Sequence, residues 1–67
     1  MSQPILNKLK KQKNDLTDTQ TDITAYMATP EFIALPPGTR NQVRLHIDSV
    51  AGSLRALVLL IAYLESH

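Results

Sequence analysis

From Val43 to Leu64 the chain places apolar residues at alternating intervals of four and three: Val43, Ile47, Val50, Leu54, Leu57, Ile61 and Leu64. Three unbroken heptads of this kind specify a helix with one continuous apolar seam, which must be buried against another helix. The pattern predicts a long helix over about 37–65. Gly52 inside it costs roughly 1 kcal/mol relative to alanine, an amount the surrounding pattern outweighs. Its missing side chain also permits another helix to approach closely.

Prolines delimit what precedes that helix. Thr29-Pro30-Glu31 reads as a helix start, with a threonine N-cap, proline at the first helical position and a carboxylate in the first turn. Pro36-Pro37-Gly38 follows too soon for anything longer than a single turn. A one-turn helix over 30–35 is therefore expected between two long ones. The first long helix, over about 4–28, carries a weaker seam: Leu9, Gln12, Leu16, Thr19, Ile23 and Tyr26, with Ile5 one turn earlier. Its polar members weaken the seam but fix register. Thr17, Thr19, Thr21 and Thr24 lower its helix propensity, so it depends on its partner for order.

Two helices of this length on a short connector make an antiparallel αα-hairpin, a single all-α domain over 1–67. Aligning the seams outward from the turn sets Tyr26 opposite Val43, Ile23 opposite Ile47 and Leu16 opposite Leu54. Asp15 then falls near Arg55, and Asp22 near Arg44 or Asp48.

A hairpin of 67 residues buries a small core, and such chains add disulfides, a metal or more copies of themselves. There is no cysteine, and His46 and His67 are too few for a zinc site. Oligomerisation remains. The second helix supports it, because Leu45, Leu59, Leu60 and Tyr63 lie off the seam, with Val58 between the faces. A helix apolar on two sides needs a partner on each. A homo-oligomeric helix bundle is expected, with these four residues at the contact between chains.

The net charge is +1, and three aromatic residues are present, none a tryptophan. Neither bulk attraction to nucleic acid nor a stacking platform for single strands is expected. The lysines near the start precede no apolar run of signal-peptide length. Ala56 to Leu64 is nine residues against the ~20 of a bilayer span. No membrane association and a cytoplasmic location are the expectation.

No catalytic motif is present, and no enzymatic activity or cofactor is expected. With two glycines there is no phosphate loop, and Ser49 and Ser53 have only His46 nearby, without a third group. Asp15, Asp18 and Asp22 form a stripe that reads as a solvated face. Lys8, Lys10, Lys11 and Lys13 read as solubilising charge, with contact to phosphates or an acidic partner as the alternative. Arg40, Asn41, Arg44 and His46 are the more specific cluster. Arg40 and Arg44 lie one turn apart near the free amides of a helix start, where two guanidinium groups can fork onto an anion. Tyr26 reaches the same end and offers a ring for stacking. The competing reading pairs Arg44 with Asp22 and Arg40 with Glu31, with Tyr26 capping the core.

The segment Tyr26-Met27-x-x-Pro30-x-Phe32-x-x-Leu35-Pro36, followed by Arg40 and the heptad seam, resembles small helical-hairpin proteins of bacteriophages. The resemblance runs from about Ile23 to Ile61. It implies an oligomer that acts as a sponge, sequestering a cyclic nucleotide signal of host defence in the host cytoplasm. Basic and aromatic side chains between protomers would hold the phosphates and bases. The matching residue types are Arg40, Arg44 and Tyr26, with Asn41, His46 and Arg55 as lesser candidates. A second class of function stays open: an inhibitor or adaptor that docks on a host protein through the apolar face of the second helix.

Overall fold

A computed structural model describes residues 3–66; His67 lies outside the described residues. Three helices follow in order, α1 (Gln3–Met27), α2 (Pro30–Ala34) and α3 (Pro37–Glu65), and no strand occurs among the described residues. α1 packs along α3, and α2 closes one end against α1. The result is a helical hairpin 49 Å long and only 15 × 13 Å across.

Local chemistry accounts for the connector. The Thr29 Oγ1 accepts a hydrogen bond from the Phe32 amide at 3.4 Å and donates to the Tyr26 carbonyl at 2.6 Å. One hydroxyl thus caps the start of α2 and the end of α1. α2 stops at Ala34, because Leu35 and Pro36 are extended, with ψ near 149° at both. Proline disfavours helical geometry in the residue before it, so Pro36 and Pro37 force the break. Pro37 then opens α3, where its missing N–H needs no partner.

The α3 seam faces α1: Val50, Leu57 and Ile61 are buried, and Val43, Ile47, Leu54 and Leu64 half-buried. On α1, Leu9, Leu16, Thr19 and Ile23 are half-buried as the expected seam requires, but its other members are displaced by one position. Leu6, Lys13 and Met27 turn inward, whereas Ile5, Gln12 and Tyr26 are exposed. The inward set 6, 9, 13, 16, 20, 23 and 27 keeps heptad spacing, and Lys13 joins it because its alkyl stem covers apolar surface while its charge stays wet. The threonines are accommodated by bonding back one turn: Thr17 Oγ1 to the Lys13 carbonyl at 2.8 Å, and Thr19 Oγ1 to that of Asp15 at 3.0 Å.

Two helices alone enclose little. Among the described residues no side chain is fully buried, while Leu59 is 73% and Leu45 54% exposed on the far side of α3. α3 is also long and apolar enough, by length and composition, to cross a membrane.

Candidate functional site

The connector end gathers most of the chemistry. Phe32, only 4% exposed, sits at its centre. Tyr26 meets the Phe32 ring edge-on, with centroids 6.0 Å apart and planes at 82°. Arg44 reaches the same ring from α3, its guanidinium carbon 5.5 Å from the centroid. Arg40 lies one turn earlier and is half-buried; its Nε is shielded from solvent and has no hydrogen-bond partner among the described residues.

Neither arginine has a carboxylate partner among the described residues. Among the described residues the ion pair present is Lys10 Nζ with Glu65 Oε2, 2.8 Å apart at the opposite end. The pairings anticipated for Asp22 with Arg44, Glu31 with Arg40 and Asp15 with Arg55 do not form. These acids and bases are almost all exposed, and an exposed pair offers too little to overcome the entropy of ordering two long side chains. Arg44 finds a ring in place of a carboxylate, a partner that pairing by charge overlooks. The role of Phe32 as a cation partner is visible only in the fold.

On the other flank of α3 an open groove of about 450 Å³ runs between the long helices, lined by Asp22, Ile23, Tyr26, Thr39, Gln42, Val43 and His46. Tyr26 and His46 therefore share a groove, and Tyr26 also borders the ring against which Arg44 lies. Gln42 and Thr39, absent from the sequence reading, line the same groove because they stand one and four residues before Val43 on one helical flank. Asn41 is exposed beside Arg40. Arg55 is not part of this end: it stands three turns beyond Arg44, roughly 16 Å along the axis at 1.5 Å per residue. Asp22 sets a limit, since its carboxylate repels an anion within the groove and leaves the arginine flank as the place for phosphate.

Among the described residues no three histidines or carboxylates gather as a metal set. No protein-family model, curated protein or solved structure matches this chain.

Proposed function

We propose that the chain is a homo-oligomeric binding protein that holds a small nucleotide signal at its connector end and so removes it from solution. The observation that carries this reading is the state of the two arginines. Both lack a carboxylate partner among the described residues, and the Arg40 Nε is a shielded donor with nothing to donate to. Buried donors are nearly always satisfied, so this nitrogen is left in need of a partner, one that a phosphate oxygen would supply once the Arg40 side chain shifts to open it. The apolar groove beside Tyr26 and His46 suits a base, and the arginine flank suits its phosphates. Asn41 would add a polar contact, and Arg55 would take part only from another copy.

In the setting implied by the resemblance, the protein acts in the cytoplasm of an infected cell, as a phage accessory that blunts a cyclic nucleotide alarm. It is a sink and not an enzyme, with tightness arising from local charge doubled by symmetry despite the near-neutral chain. Calorimetry with cyclic dinucleotides, cyclic trinucleotides and cyclic ADP-ribose isomers is the test. One ligand should bind, and replacing Arg40 and Arg44 by alanine should cost about 1.5–3 kcal/mol for each charge-assisted hydrogen bond lost. No heat with any member, or binding indifferent to the double change, overturns the ligand reading. The second reading, an adaptor or inhibitor docking through α3, then takes precedence; exposure of Leu45, Leu59, Leu60 and Tyr63 on one helix favours it.

A further inference from the structure

We infer that the outer face of α3 is self-complementary, and that a second copy of the chain lies antiparallel on it about a two-fold axis near Ala51. This rests on the oligomer in the reading above and is independent of its ligand.

The face is a second heptad seam. Leu45, Ser49, Gly52, Ala56, Leu59 and Tyr63 recur at intervals of four and three, and all six are exposed. At 100° per residue this seam lies opposite the one facing α1, so α1 covers none of it. The small residues occupy its middle. A Cβ added to Gly52 meets nothing within 4 Å, so packing inside the chain does not require glycine there. Two helices crossing at that point can approach closely.

Charge selects the occupant and its direction. Asp48 and Arg55 stand seven residues apart on the same flank of the seam, and neither is ion-paired among the described residues. Antiparallel helices related by a two-fold axis bring like flanks together. With the axis near Ala51, Asp48 meets the partner's Arg55, and symmetry repeats the pair. The same register seats Leu45 against the partner's Ala56 and Ser49 against the partner's Gly52. A parallel pair would set Asp48 and Arg55 against Ser53 and Leu60 of the opposite flank, leaving both charges unmatched.

Area agrees with one partner of this size. A compact monomer of this mass exposes about 4,200 Å², whereas the hairpin exposes 4991 Å². The excess is close to the ~800 Å² that each partner buries in a standard interface. Its radius of gyration, 15.2 Å, likewise exceeds the ~11 Å of a compact chain of this length. A bilayer is the competing cover for an apolar helix. It would have to desolvate Asp48 and Arg55, and α1 alongside carries the exposed charges of Lys8, Lys11, Asp15 and Asp18.

The test is complementation between charge variants, read by sedimentation and native mass spectrometry, with circular dichroism reporting the fold. The native chain should be dimeric or higher at micromolar concentration. Asp48→Arg alone and Arg55→Asp alone each set like charges against each other twice, and each should weaken self-association at least tenfold. Mixed in equal amounts, the two variants should recover association as a heterodimer, because both contacts become complementary; a folding defect would not be rescued this way. A folded native monomer, an oligomer indifferent to both changes, variants that stay helical yet fail to combine, or a monomer that floats with phosphatidylcholine vesicles would each overturn the inference. Rescue on mixing together with no nucleotide binding would remove the ligand reading alone.

Discussion

The guanidinium of Arg44 lies over the ring of Phe32, 5.5 Å from its centroid, and this contact joins the packing of the connector to the chemistry of the site. Phe32 is held by the one-turn helix α2, which exists because Thr29 caps it and two prolines end it. The same ring takes the edge of Tyr26. A single buried aromatic therefore positions both a cation from α3 and a ring from α1, and changes at Phe32 should be felt in stability and, under the proposed function, in ligand binding as well.

Phe32→Ala should destabilise the fold by about 3–5 kcal/mol, enough to unfold a chain with so small a core. Phe32→Leu keeps most of the volume and should lose no more than about 1.5 kcal/mol. It leaves Arg44 without its ring, so the leucine variant separates packing from site geometry. Urea unfolding followed by circular dichroism measures both. An alanine variant as stable as the native chain would contradict the burial of Phe32.

Thr29→Ala should cost about 1 kcal/mol, the usual penalty for losing a side-chain cap. Thr29→Ser keeps the hydroxyl that accepts from the Phe32 amide and donates to the Tyr26 carbonyl, and should recover most of that loss. Equal denaturation midpoints for alanine and serine would show that the hydroxyl bonds contribute nothing.

The helices and their break were legible because the signals are local. Proline fixes backbone angles whatever surrounds it, and the seven apolar residues of the α3 seam leave one face to bury. The α1 seam was less so. Gln12 and Lys13, or Tyr26 and Met27, differ by one position, and polar or amphipathic side chains do not by themselves say which turns inward. Contact with α3 decides it, and that information is spread over both helices. The ion pairs were misjudged for the same reason: register brings charges near one another, but exposed side chains have little to gain by closing the gap. At the site, the arginines and Tyr26 could be named from spacing, whereas the link through Phe32 required the fold.

The two glycines offer an internal comparison. A Cβ on either Gly38 or Gly52 meets nothing within 4 Å in the chain, and neither has a positive φ. Within the hairpin, both Gly→Ala changes should stabilise by about 0.4–1 kcal/mol through the unfolded state. Gly38 lies in the first turn of α3, seven residues before Leu45 and so at the end of the outer seam and not at its crossing point, and should lose less of its gain when chains associate. Gly52 lies at that crossing point, so its gain should be smaller at concentrations where chains associate and recover on dilution. Equal gains at all concentrations would mean that nothing packs against Gly52.

Leu59 and Leu60 carry much of the apolar surface that one chain leaves uncovered, at 73% and 44% exposure. Replacing both with glutamate should give a monomeric or unfolded chain. The measurement is sedimentation velocity at micromolar concentration. A double variant that keeps the native oligomer would exclude this face from the contact.

The last prediction concerns the far end of the hairpin, where Lys10 meets Glu65 at 2.8 Å. Both side chains are nearly half exposed, at 45% and 48%, so water and salt screen the pair. Lys10→Ala should therefore cost no more than about 1 kcal/mol, and less in high salt. The pair matters more as a statement of geometry, because it brings the start of α1 beside the end of α3. Spin labels at positions 10 and 60, diluted with unlabelled chain so that only intrachain distances count, should lie near the helix-to-helix spacing of ~10 Å plus the label arms. Should the prolines fail to break the chain, 50 residues of continuous helix would separate the labels by ~75 Å. A distribution centred there would mean an open rod, and with it would go the connector site, since Arg44 and Tyr26 meet Phe32 only when the chain turns back on itself.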